Sequence, residues 1–217
     1  MQEFDKIFLS WRTGQGKARH IVGVLEKKPS GSYTFTYDSK VVEEAKKDGF
    51  IAYTEFADFN QTYNGSVLDI FAQRLTKSER SDVKNFYDFW EIEPTHIQDK
   101  FYLLGHTQGL LPTDNFEFLA EYRPVEGLHF LTDLAHITER KHKSGTVFVG
   151  DTLRYEHDKE NVHDSYAVKV FKENVEIGFI KKIHSRVFLS SDKQLKLAVK
   201  AVDQNGSIKR IFVKVSI

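Results

Sequence analysis

The side chains best suited to chemistry crowd into residues 157–164, which read His-Asp-Lys-Glu-Asn-Val-His-Asp. The run offers imidazoles, carboxylates and one amide. Catalysis by such groups needs partners held at fixed spacing, and the chain lacks the patterns that supply them. There is no Gly-x-Ser-x-Gly, no His-Glu-x-x-His, no phosphate-binding loop and no cysteine nucleophile. A zinc site takes three or four convergent ligands, normally oriented by a second layer of hydrogen bonds. No cysteine occurs, and the nine histidines are scattered. In the C-terminal half His136, His142, His157, His163 and His184 form no i,i+4 pair. No catalytic residue, metal or cofactor is therefore expected, and the chain reads as non-enzymatic. Carboxylates such as Asp158 and Glu160 sit in a charged, exposed loop and should be solvated. Asn161 and Asp164 either accept from nearby backbone N–H groups and so shape the loop, or accept from a ligand. Both readings stay open at this point.

The elements around the run must position it. Apolar residues at period two, bounded by Asn, Asp and Gly, mark a three-stranded meander. Leu153 and Tyr155 alternate ahead of the loop, residues 167–171 (AVKVF) follow it, and Glu173-Asn174 turns into residues 176–180 (EIGFI). Residues 127–137 give an apolar strand, 138–144 a basic loop, and 185–189 a short helix. Residues 195–202 and 209–215 alternate on either side of Asn205-Gly206, a strong hairpin turn. Six strands with one or two short helices are consistent with a small β-barrel.

The order Gly150-Asp151-x-Leu153, then Asn161-x-His163-Asp164-x-x-Ala167-Val168-x-Val170, then Ile177-Gly178-x-Ile180-x-Lys182 resembles the HIRAN domain over about ninety residues. That resemblance implies a module holding single-stranded DNA at its free 3′ end. Asp164 matches the acidic residue that accepts from the terminal 3′-hydroxyl. A carboxylate bonds a free hydroxyl but repels a continuing phosphodiester, and so reads an end. His163 stands where the family's Tyr stacks on or flanks a nucleotide. Asn161 and Glu160 match residues that hydrogen-bond the terminal nucleotide, and Phe179 and Lys182 match a ring-bearing residue and a phosphate-contacting Lys. Ala135 sits where that family carries an Arg, and His136, kept among the candidate nucleic-acid contacts, where it carries an aromatic. The loss of the Arg and the negative charge that Glu160 adds beside the backbone should both weaken binding.

The N-terminal half is a mixture of strands and helices. Residues 6–11, 20–26 and 32–37 read as strands, and the basic turn at 12–19 as an exposed loop. Ser39 is placed to cap a helix with Val41, Val42 and Ala45 inward and Gly49 as its stop. Ser66 and Asp69 have capping-box spacing ahead of Val67, Ile70, Phe71 and Leu75. Ser81 starts another helix whose stripe Val83, Phe86, Tyr87, Trp90 is expected to be core. Pro94 opens a third, ending at Leu103-Leu104-Gly105, and residues 110–122 return to alternation before a boundary at Arg123-Pro124. The scattered elements Gly23-x-Leu25, Tyr33-x-Phe35-x-Tyr37-Asp38, Tyr63-x-Gly65, Phe71-Ala72-x-Arg74-Leu75, Phe101-x-Leu103-Leu104 and Thr107-x-Gly109 resemble the small N-terminal subdomain of HipA-type toxin kinases. That resemblance implies a partner-binding or antitoxin-like piece. The kinase core has no counterpart in the chain: no Gly-rich phosphate loop is followed by a catalytic Asp segment.

Composition agrees with a folded chain. The 217 residues can bury one large core or two small ones, and 18 Phe argue against disorder. Residues 1–125 carry 15 Lys+Arg against 19 Asp+Glu, and residues 126–217 carry 16 against 12. The mildly basic second half suits a phosphate backbone. Absence of cysteine suits a reducing compartment, and neither a leader-like start nor a long apolar run is evident, so a cytoplasmic location is expected. The expected architecture is α+β with two domains, residues 1–125 and 126–217. The leading expectation is recognition of single-stranded DNA 3′ ends by the second domain, with the first docking a partner protein. The alternative is a regulatory or antitoxin-like subunit gripping a HipA-type kinase, without DNA-end recognition.

Overall fold

The computed structural model describes residues 3–14, 16–75 and 82–217. The fold is α+β, with two antiparallel sheets and few, short helices. The chain divides into two compact units, Phe4–Glu121 and a second formed by Tyr122–Ile217 together with Glu3. The Ser81 helix start expected above lies outside the described residues. No helix among the described residues is long and apolar enough to cross a membrane.

In the first unit, β1 (Lys6–Trp11), β2 (His20–Lys27), β3 (Tyr33–Tyr37) and β4 (Phe116–Ala120) form a sheet in the order β3-β2-β1-β4. Its core is aromatic. The fully buried Phe35 ring lies 4.7 Å from Tyr37, 5.0 Å from Phe71 and 5.2 Å from Phe56. Gly23 makes room for it, since an added Cβ would stand 2.8 Å from the Phe35 ring.

Several local readings are corrected here. Helix α1 (Ser39–Lys47) is capped by Asp38, not Ser39, because Asp38 Oδ1 accepts from the Lys40 and Val41 N–H groups. Ser66 makes no side-chain cap bond to α2 (Val67–Ala72), and Asp69 pairs instead with Lys100 at 2.7 Å. On α3 (Val83–Trp90) only Trp90 is buried, while Val83, Phe86 and Tyr87 remain half-exposed. Pro94 opens a single 3-10 turn, and the true helix, α4 (Lys100–Thr107), starts six residues on, where Asp99 caps it. The basic turn at 12–19, read as an exposed loop, is tied to Glu117 on β4. Its buried carboxylate draws Arg19 to 2.8 Å and Arg12 to 3.6 Å, so the basic loop is partly folded inward. Arg74 is likewise committed, with Nη1 and Nη2 forked onto Asp114 at 2.6 and 2.7 Å and Nε on the Gly109 carbonyl at 2.8 Å.

In the second unit, β5 (His129–Asp133), β6 (Thr152–His157), β7 (Val168–Lys172), β8 (Val175–Phe179), β9 (Lys196–Asn205) and β10 (Ser207–Ser216) run in the order β5-β10-β9-β6-β7-β8. The sheet curls into a half-barrel, and an antiparallel bridge between Ala135 and Phe179 links the two ends of the strand order. Gly178 permits that approach: a Cβ there would meet the Ala135 carbonyl oxygen at 2.7 Å. Phe130, Val168, Val170, Ile211, Val213 and Val215 fill the interior. The strand expected over residues 127–137 stops at Asp133, and α5 (Ile137–Arg140) follows in place of part of the basic loop. His136 makes that switch with φ 62°, a left-handed conformation no strand can contain. Helix α6 (Arg186–Ser190) follows β8 as expected.

Candidate nucleic-acid interface

Residues 158–167 connect β6 to β7, and their shape comes from their own side chains. Asn161 Oδ1 accepts from the His163 and Asp164 N–H groups, each at 3.0 Å, and Asn161 Nδ2 donates to Asp158 Oδ2 at 3.2 Å. Asp164 Oδ1 accepts from the Tyr166 N–H at 3.0 Å, and its carbonyl accepts from Ala167 N–H at 3.1 Å. Side-chain acceptors thus replace the ladder bonds that a ten-residue connection cannot make. The loop base is closed by Asp158 N–H on the Ala167 carbonyl at 2.8 Å. Among the described residues Asp164 Oδ2 takes no protein donor, and Glu160 and His163 are exposed.

Asp158 is not simply solvated. Lys169, on β7 opposite Glu156, reaches Asp158 Oδ1 at 3.0 Å. That ammonium holds the Asp158 carboxyl below its ordinary value, with Asn161 helping and partial desolvation opposing. The same bond holds the Lys169 ammonium above its ordinary value.

A second group lies across the sheet. Phe179 pairs with Lys169 on one side and Ala135 on the other, so these three side chains share the outer face. The His136 ring meets Phe179 edge to face at 5.6 Å and 74°, and His136 Nδ1 lies 3.0 Å from Glu139 Oε2. Arg140 covers Phe179 with its guanidinium 5.2 Å from the ring centroid while pairing with Glu176. Lys182 is exposed, its carbonyl accepts from Ser185 Oγ at 2.7 Å, and no described carboxylate pairs with it.

The sequence-predicted residues therefore fall into groups. Asn161, His163 and Asp164 share one hydrogen-bonded turn, and His136 and Phe179 share a ring contact. Among the described residues no hydrogen bond or ring contact joins the two groups, or joins either to Lys182. Lys169, with Asp158, stands between them. The sequence reading missed Lys169 and Arg140. Lys169 had a signal, since it alternates with the buried Val168 and Val170 and must face outward. Arg140 had none, because residues 138–144 carry no helical periodicity.

Among the described residues no group of three or more His, Cys, Asp or Glu is placed to hold a metal. No family model matches the chain, and no curated protein or solved structure matches it.

Proposed function

We propose that the second unit is a non-enzymatic module that binds single-stranded DNA at its 3′ end, and that the first unit docks a partner protein. The observation that carries the reading is the turn at Asn161–Asp164. Asn161 fixes the turn, Asp164 spends one carboxylate oxygen on the loop, and the other is left to accept from a ligand. A carboxylate so placed favours a terminal hydroxyl and repels a phosphate. His136, Phe179 and Lys182 supply rings and a cation on the same unit. Asn161 acts in this reading through the loop, and Glu160 and His163 contribute from its exposed rim.

The test is fluorescence anisotropy with single-stranded oligonucleotides ending in 3′-hydroxyl or 3′-phosphate, at two salt concentrations. Wild type should prefer the hydroxyl and bind more weakly at the higher salt. Asp164→Ala should lose the preference. A folded protein that binds neither oligonucleotide at low salt would sink the proposal. Titration of a HipA-type kinase core against the chain, followed by light scattering, tests the partner side.

A further inference from the structure

At the end of β6 away from the 158–167 turn, the chain between α5 and β6 holds an aromatic ring out of the core. Val147 is buried, yet Phe148 is 56% exposed and Val149 69%. The outward pose is braced. Asp151 Oδ2 accepts from the Phe148 N–H at 2.8 Å and from Lys172 Nζ at 2.6 Å. Lys172 Nζ also donates to the Thr146 carbonyl at 3.1 Å and stands 5.0 Å from the centre of the Phe148 ring. Val175, 57% exposed, is the register partner of Lys172, so its side chain lies on the same face of the sheet. Phe148 and Val175 thus flank one lysine whose charge is met by Asp151, with Val149 next in the chain.

The two sides of this apolar centre carry opposite charges. On one, Lys143 stands opposite Ser207 in an antiparallel bridge, and Ile208 N–H donates to the His142 carbonyl at 2.8 Å, which lays residues 142–144 along the edge of β10. From there the chain crosses β9, where Gly145 N–H donates to Gln204 Oε1 at 3.0 Å and Gly150 N–H to the Val199 carbonyl at 2.9 Å. On the other side, Glu173 forms the turn between β7 and β8, two residues before Val175. Lys143 and Glu173 are both exposed, and neither takes an ion pair among the described residues. Along the strand order β10-β9-β6-β7-β8, the apolar centre therefore lies between an unpaired ammonium and an unpaired carboxylate.

We infer that this face pairs with the same face of a second copy of the chain about a twofold axis. Exposed apolar patches rimmed by polar residues mark interaction surfaces. A twofold interface must complement itself, so what lies on one side of the axis has to suit what lies on the other. A cation on one side and an anion on the other meet that demand: each copy's Lys143 faces the other copy's Glu173, with the two Phe148 rings between them. An anionic surface would instead meet Glu173 and find Lys172 already paired. The chain carries 31 Lys+Arg against 31 Asp+Glu, so no net charge opposes association. The apolar centre is small, which puts the contact in the weak class, with a dissociation constant on the order of 10–100 µM. The inference stands apart from the nucleic-acid reading. The 158–167 turn lies at the far end of β6, so pairing leaves both turns uncovered.

The test is sedimentation velocity of the full chain from about 1 to 500 µM, across which wild type should pass from one chain to two. Phe148→Ser should weaken the pairing about tenfold or more, as loss of a central aromatic anchor does. Lys143→Glu and Glu173→Lys should each weaken it about threefold or more, because each sets like charges together on both sides of the axis. The chain carrying both substitutions should return to within about twofold of wild type, since the two charges have only exchanged places. Thermal melts establish that each variant is folded. A wild type that stays monomeric at about 500 µM overturns the inference. One that does so while floating with vesicles of phosphatidylserine and phosphatidylcholine assigns the face to a membrane instead. Dimers that Phe148→Ser leaves intact, or a doubly substituted chain no tighter than the single variants, overturn it as well.

Discussion

Lys181 and Asp133 meet as an ion pair inside the second unit, the lysine side chain wholly enclosed and the carboxylate 5% exposed. Arg210 Nε approaches the other carboxylate oxygen at 2.9 Å. The triad ties together the end of β5, the segment after β8, and β10. Ala135 follows Asp133 by two residues and Lys182 follows Lys181 by one, so the pair sets the frame for the outer face.

Taking Lys181 away leaves a buried carboxylate short of a compensating charge. Lys181→Met should cost about 3–5 kcal/mol, the range for breaking a buried pair by removing one partner. Urea unfolding of the full chain measures it. A cost below about 1 kcal/mol would show the carboxylate to be hydrated rather than enclosed.

Gly178 is required by contact rather than by backbone angle. A methyl group there meets the Ala135 carbonyl oxygen at 2.7 Å and Ile137 Cδ1 at 2.9 Å, and the first of these is backbone that cannot rotate away. Gly178→Ala should therefore destabilise the protein by about 1–3 kcal/mol, as overpacking does. Retained stability in a thermal melt would mean that the bridge between Ala135 and Phe179 is looser than the contact distances require.

The Asp158–Lys169 contact gives a pH dependence with a definite sign. The folded-state pKa of Asp158 lies below its ordinary value of 3.8. A depressed carboxylate contributes stability above that ordinary value and loses it as pH falls through the lower folded value. The acid limb of stability should thus be shallower in Asp158→Asn than in wild type. Urea midpoints from about pH 2 to pH 6 would show it. Parallel acid limbs in the two proteins would refute the assignment.

The strands were legible because their apolar residues alternate and their turns carry Asn-Gly or polar pairs. In the second unit β6, β7, β8, β9 and β10 follow that pattern, whereas β5 is buried without a break from Phe130 to Asp133. Helix starts were harder wherever two capping residues compete: Asp38 stands beside Ser39, and Asp99 lies downstream of Pro94. In both cases the carboxylate accepts from two N–H groups and wins. The break after Asp133 was invisible because the apolar run continues through Leu134 and Ile137, and only tertiary contact turns His136 left-handed. Asp158 was misjudged for a related reason, since its partner Lys169 comes from the next strand. In the candidate site the residue types could be read from the chain. The Arg140 cover on Phe179 could not, because it joins residues far apart in the chain.

His136 offers a way to separate folding from binding. Its φ of 62° suits glycine, and a side chain there carries a penalty of about 1 kcal/mol. Its ring gains contacts with Glu139 and Phe179 that offset the strain by a similar amount, about 0.5–1.5 kcal/mol. His136→Gly removes both and should change stability by less than about 1 kcal/mol, whereas His136→Ala keeps the strain and loses the contacts. If the ring stands beside the bound strand, His136→Gly should weaken 3′-hydroxyl oligonucleotide binding roughly tenfold, the loss of one ring contact. Unchanged affinity in a protein of unchanged stability would confine His136 to a structural role and leave base contact to the loop.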